Sequence, residues 1–192
     1  MIRRWFARRR AVPSVPRPAF SRVWLVGYAV LALFGALAAA GIVRLNTTPS
    51  LPRGVYLLVP AWGRAPSPGD DVFACMPPGR AARLALARGY VAPSERDCAS
   101  GGVPLLKHVL AAEGDTVAVG PAGVVVRGRR VGLPAPVRDR LGRPLRPVSG
   151  IHVVGPGALW LGSDIANGYD SRYLGPVEQE HVLGRAYRVV GF

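Results

Sequence analysis

At 192 residues the chain has room for one ordinary domain and an appendage, and a hydrophobic share of 49% is ample for a core. Its 24 glycines and 19 prolines fall short of low-complexity or collagen-like composition, and two cysteines are too few for a disulfide-dense scaffold or an all-cysteine zinc site. The net charge of +14 suggests nucleic acid at first sight, but its distribution along the chain points to a membrane instead.

Residues 1–22 hold seven arginines and no acid, and the first acidic residue is Asp70. They read as an Arg/Pro-rich cytoplasmic tail. The next 21 residues, Val23 to Val43, carry no charge. As a helix they span roughly 30 Å, the hydrocarbon thickness of a bilayer. Trp24 and Tyr28 lie toward the Arg-rich end, as interfacial aromatics do. Seven arginines on one flank against Arg44 on the other predict a transmembrane helix with its N-terminus in the cytoplasm. The competing reading is a cleavable signal peptide with its site at Ala38-Ala39-Ala40, though the apolar run exceeds the 7–15 residues usual for one.

Residues 45–192 read as a single, mainly β domain with antiparallel strands. Short β-branched runs bounded by Gly and Pro recur at Val55–Val59, Asp71–Cys75, Leu105–Leu110, Thr116–Val119, Val124–Val126, Ala158–Leu161 and Tyr187–Val190. Gly120-Pro121-Ala122-Gly123 between two valine runs predicts a hairpin. One short helix is expected over Arg80–Arg88, opened by Pro77-Pro78 and closed by Gly89. Residues 134–150, rich in Pro and Arg, read as an exposed excursion. Cys75 and Cys98 flank the helix; in an oxidising compartment they are expected to pair, the alternative being two buried thiols.

Among 25 basic residues, Lys107 is the only lysine. Arginine stays charged, whereas a desolvated lysine can lose its proton and act as a general base. Lys107 follows Leu105-Leu106 and precedes Val109-Leu110, and strand alternation puts it on one face with Leu105 and Val109. That marks it for burial, against the reading of a snorkelling surface lysine. A base needs a nucleophile, and Ser50 lies between Pro49 and Pro52, which restrict its backbone. The plainer alternative is a Pro-rich linker. His108, His152 and His181 are scattered without triad or zinc spacing, and Asp70-Asp71 and Glu178/Glu180 read as turn or surface charges. No metal or cofactor site is expected.

Three stretches carry a family resemblance. Thr48-Pro49-Ser50-Leu51-Pro52-Arg53-Gly54-Val55-Tyr56 resembles the nucleophile box of type I signal peptidases (the S26 family), in the S-x-P-x-G-x-Y form of their conjugative-transfer, TraF-type branch. Lys107-His108 followed by Gly114-Asp115 resembles the lysine box. Gly162-Ser163-Asp164 and Asp170-Ser171-Arg172-Tyr173 resemble the C-terminal G-D-N…S-x-D-S-R box, trailed by Gly184-Arg185-Ala186.

The resemblance implies a periplasmic serine endopeptidase domain anchored in the bacterial inner membrane, with a Ser50–Lys107 catalytic dyad. The Thr48 hydroxyl and the Ser50 N–H would stabilise the oxyanion, and Asp170 and Arg172 would brace the site. Implied substrates are precursor proteins with small-x-small cleavage sites, such as pilin-type precursors of a conjugation or type IV secretion system. Expected partners are therefore those precursors, membrane lipid and transfer-system components, with no nucleic acid. Two alternatives are a general signal peptidase of secreted preproteins and a non-enzymatic bitopic assembly factor. One departure stands out: Gly168 occupies the position where many relatives have a serine that helps orient the lysine.

Overall fold

A computed structural model describes residues 22–60 and 64–192; the Arg-rich segment 1–21, expected to be a cytoplasmic tail, lies outside the described residues. The uncharged run forms α1 (Arg22–Ala39), which is long and apolar enough to cross a membrane and buries none of its residues. Its 18 residues end four short of Val43. The cause is Gly41, whose left-handed backbone (φ 71°) turns the chain out of the helix. Gly41 N–H then donates to Ala38 C=O at 3.0 Å and Ile42 N–H to Leu37 C=O at 2.9 Å, the two bonds of a Schellman cap. Val43, the last residue of the uncharged run, opens a strand.

From Leu37 to Phe192 the chain forms a separate compact unit. Its strands are β1 (Val43–Asn46), β2 (Gly54–Val59), β3 (Asp71–Ala74), β4 (Leu105–Ala112), β5 (Thr116–Gly120) and β6 (Gly123–Val126). They continue with β7 (Arg129–Gly132), β8 (Gly150–Val153), β9 (Ala158–Gly162), β10 (Val177–Glu178) and β11 (Val182–Gly191). A seven-stranded sheet has the order β1-β2-β11-β3-β4-β9-β10, and a four-stranded sheet has the order β7-β6-β5-β8. Every pairing among them is antiparallel. The expected hairpin is β5–β6, in register at Val119 with Val124 and Gly120 with Gly123.

Strand alternation builds the core. Ala158 and Trp160 of β9 point into a cluster with Val117, Val119, Val124 and Val126 of the smaller sheet. Leu159 and Leu161 point the other way, toward Val72, Ala74, Val109 and Val177. All five residues of β9 are therefore buried. The opposite face of the large sheet packs Leu51, Tyr56, Phe73, Leu106 and Ala186.

The expected helix is α2 (Arg80–Ala87), which lays Ala82 and Ala85 against Met76, Val91, Tyr169 and Tyr173. Gly89, in the left-handed region at φ 70°, follows it. Cys75 and Cys98 form a disulfide, with Cα atoms 5.5 Å apart, that closes the segment carrying α2. In the chain-entropy view a loop of 23 residues contributes about 3 kcal/mol.

Residues 134–150 form the expected excursion, with no residue fully buried, and they are tethered to the domain. Ala135 and Leu145 pack on the α2 cluster, Tyr173 donates to Pro136 C=O at 2.8 Å, and Val148 N–H donates to Arg172 C=O at 2.7 Å. Asp139 organises its tip by accepting from the Leu141 and Arg143 amides, the Arg143 guanidinium and the Tyr90 hydroxyl. These donors hold its carboxyl well below the usual carboxylate range. The excursion is a tethered wall.

Candidate active site

The loop between β1 and β2 is built around Asn46, which is buried. Asn46 Oδ1 accepts the Thr48 N–H at 3.1 Å and the Thr48 hydroxyl at 2.7 Å, an Asx turn. Its Nδ2 donates to the carbonyls of Leu51 (3.1 Å) and Pro52 (3.2 Å). Tyr56 adds a hydroxyl bond to Pro52 C=O at 2.6 Å. Gly54 then lets β2 start beside β11, since a Cβ there would lie 2.1 Å from Val190 O at φ 156°. The loop thus holds Ser50 half-buried, with its Oγ 3.2 Å from Thr48 Oγ1. Asn46 was not singled out from sequence, although Asn two residues before Thr in a Pro-bounded turn is a recognisable Asx signal.

Lys107 sits on β4 opposite Val72 of β3, on the sheet face it shares with Leu105 and Val109. Only 3% of it is exposed. Burial lowers its pKa to about 8; Asp170 and Asp164 oppose that shift and Arg172 adds to it. Among the described residues Lys107 makes no ion pair and no side-chain hydrogen bond. A lysine with a pKa near 8 is substantially neutral in mildly alkaline solution, as a general base must be.

Thr48, Ser50 and Lys107 line one cleft of about 1160 Å³. Its far walls come from the α2–Cys98 segment, through Tyr90 and Val91, and from the 134–150 excursion, through Arg143 and Leu145. The cleft exceeds the usual small-molecule pocket and has room for an extended peptide. Ser50 and Lys107 share it without a direct hydrogen bond between their side chains.

Asp170 and Arg172, 1% exposed each, lie in sequence between the cleft-lining residues Tyr169 and Tyr173. Asp170 caps α3 (Ser171–Leu174), accepting from the Arg172 N–H at 3.1 Å. The Arg172 guanidinium grips the same carboxylate with two bonds, Nε at 2.8 Å and Nη2 at 2.7 Å. Its other N–H groups reach Pro134 C=O (2.9 Å), Ile165 C=O (2.9 Å), Ala166 C=O (3.2 Å) and Gly168 C=O (3.2 Å). One buried side chain therefore ties the loop after β9 to the excursion. Ser163 completes the network, donating to Asp170 Oδ2 at 2.6 Å and accepting from Arg172 Nη2 at 3.1 Å.

Asp164, next in sequence, donates its N–H to the Ser50 carbonyl at 2.8 Å, joining the third stretch to the first. Asp70 pairs with Arg185 at 2.9 Å and accepts the Ser67 N–H, as a turn residue would. Among the described residues one grouping has metal-ligand spacing. It comprises Glu178, Glu180 and His181, with ligand atoms within 4.8 Å of one another; both carboxylates are exposed and none of the three lines the cleft.

Comparison with known proteins agrees with this architecture. Residues 19–190 match the family model described as signal peptidase, peptidase S26. The chain is 39% identical over 173 residues to the probable conjugal transfer protein TraF of Sinorhizobium fredii, covering 88% of this chain and 89% of that protein. It is 37% identical to the conjugal transfer protein TraF of Agrobacterium fabrum, covering 87% and 94% respectively. It is 38% identical to a plasmid transfer protein TraF of Escherichia coli, covering 83% and 88%. A family match over nearly the whole chain, with relatives above 30% identity over most of their length, shows that the protein belongs to the S26 signal peptidase family.

Proposed function

We propose that the protein is a membrane-anchored serine endopeptidase that processes precursor proteins of a conjugative transfer system by a Ser50–Lys107 dyad. The observation that carries this reading is the burial of the chain's one lysine, its pKa lowered to about 8, in the cleft that also holds Ser50. Neutral Lys107 takes the proton of the Ser50 hydroxyl as Oγ attacks the scissile carbonyl, then passes it to the departing amine. The developing oxyanion is held by the Ser50 N–H and by the Thr48 hydroxyl, whose Oγ1 lies 3.2 Å from Ser50 Oγ and whose one proton must turn from Asn46 Oδ1 to the oxyanion to do so. Attack on the acyl-enzyme by water, or by an amine of the substrate itself, then frees Ser50.

In this reading α1 anchors the enzyme in the inner membrane with its N-terminus in the cytoplasm and the β domain in the periplasm. Its apolar length and the arginine asymmetry support that orientation, and the disulfide is of a kind kept in oxidising compartments. Substrates present small residues at the cleavage site, and the transfer context follows from what the relatives are called.

The test is cleavage of an Ala-x-Ala precursor peptide by the full chain in detergent micelles. Ser50→Ala and Lys107→Ala are expected to lose activity by about four orders of magnitude, with melting temperatures close to wild type. Full activity in either variant would refute the dyad and favour a non-enzymatic assembly role.

A further inference from the structure

His108 follows Lys107 on β4, so alternation turns its imidazole to the opposite face of the sheet from the lysine. There it lies between two carboxylates. Nδ1 is 2.5 Å from Asp71 Oδ1, and Nε2 is 2.9 Å from Asp164 Oδ1. The first contact is set by sheet register, because Asp71 is the cross-strand partner of His108. The second reaches across 56 residues of sequence to the loop after β9. The same Asp164 donates its main-chain N–H to the Ser50 carbonyl at 2.8 Å.

A neutral imidazole has one donor and one acceptor and satisfies only one of two carboxylates; the imidazolium donates to both. Asp71 and Asp164 accordingly raise the His108 pKa. An isolated, half-exposed ion pair contributes little to stability. What distinguishes this one is its path: Ser50 carbonyl, Asp164 amide, Asp164 carboxylate, His108 ring, then one peptide bond to Lys107. Base and brace share a single strand, so the loop that carries the serine is indexed to the strand that carries the lysine.

Resting on the dyad reading above, we propose that Asp71, His108 and Asp164 form a positioning relay that fixes the Ser50 carbonyl, and with it the aim of the Ser50 hydroxyl. The three residues act through Ser50 and take no part in proton transfer. The relay works by geometry, holding the hydroxyl where a displacement of an ångström costs about a hundredfold in rate.

The test uses the full chain in detergent micelles, with two readouts on each variant: hydrogen exchange of the Asp164 amide by NMR, and cleavage of an Ala-x-Ala peptide. In His108→Ala the Asp164 amide should exchange about tenfold faster or more, as a locally opened hydrogen bond does. Its kcat should fall about tenfold to a hundredfold while KM stays within about twofold, because placement of the nucleophile is lost and peptide binding is not. His108→Arg keeps a cation between the carboxylates and should recover most of both. If His108→Ala does not fold, Asp71→Ala removes one arm and is read in the same way. Unchanged Asp164 exchange in His108→Ala, or no recovery in His108→Arg, overturns the relay while leaving the dyad intact. Should Ser50→Ala prove fully active, the dyad reading fails instead, and amide exchange alone decides the relay.

Discussion

The Ser163 hydroxyl fills the space that a side chain at Gly168 would need: a Cβ built on Gly168 lies 1.9 Å from Ser163 Oγ and 3.1 Å from Arg172 Nη2. That hydroxyl is engaged on the Asp170–Arg172 pair, donating to Asp170 Oδ2 at 2.6 Å and accepting from Arg172 Nη2 at 3.1 Å. Gly168, the departure legible in the sequence, is thus imposed by a hydroxyl five positions earlier, a link that the sequence alone did not show.

Gly168→Ser by itself should destabilise the domain by about 1–3 kcal/mol through overpacking against a buried, hydrogen-bonded group. Adding Ser163→Gly should recover most of that loss. Urea unfolding of the two single variants and the double variant measures the coupling. Simple additivity would show that the two positions do not compete for one space.

Asp170→Asn should cost about 3–5 kcal/mol, because it leaves the Arg172 guanidinium buried without its counter-charge. Circular-dichroism melting in detergent reads the effect. A loss under about 1 kcal/mol would mean that the carbonyls around Arg172 suffice to hold it.

Asn46→Ala removes the acceptor of the Thr48 N–H and hydroxyl and the donors to Leu51 and Pro52. It should lower stability by about 1–3 kcal/mol and reduce kcat more than it changes KM. Asn46→Asp keeps the acceptor but turns a buried carboxylate oxygen toward the Leu51 and Pro52 carbonyls, so its activity should fall at least as far as that of Asn46→Ala. The peptide-cleavage assay ranks all three proteins.

Burial of Lys107 also predicts how stability varies with pH. Folding lowers its pKa from 10.5 to about 8, so between those values the unfolded chain holds a proton that the folded chain has released. Stability contributed by this group therefore rises with pH across that window. Below pH 8 both states are protonated, and the full cost of roughly 3 kcal/mol applies. Lys107→Met should be more stable than wild type at pH 7 by up to that amount, and the gap should close between pH 8 and 10.5. Chemical denaturation at pH 7, 9 and 10.5 follows it; a gap independent of pH would contradict the assigned burial.

Much of the scaffold was legible because its signals are local. The β5–β6 hairpin announced itself by a Gly-Pro-Ala-Gly turn between valine runs, and α2 by Pro before and Gly after an alanine-rich repeat. β1 was hidden, since hydropathy does not separate the end of an apolar helix from an apolar strand; Gly41 was the available signal. β7 and β8 escaped because Arg129-Arg130-Val131-Gly132 and Gly150-Ile151-His152-Val153 are short and largely exposed, with no buried face to impose a period. Within the site, Ser50 and Lys107 stood out by residue type and setting. The environments of His108 and Ser163 did not, because Asp71 and Asp170 reach them only through sheet register and the α3 cap. The 134–150 segment was legible as an excursion but its tethers were not, since they are carbonyls offered to Arg172 and Tyr173, which leave no hydrophobic pattern.

The central claim is that neutral Lys107 activates Ser50, and the pH dependence of kcat/KM for an Ala-x-Ala peptide tests it most directly. In wild type kcat/KM should rise about tenfold per pH unit below a single ionisation near pH 8 and level off above it. Lys107→Arg should be as inactive as Lys107→Ala at every pH, since arginine keeps the positive charge and does not lose its proton. A flat profile, or substantial activity in Lys107→Arg, would contradict the account.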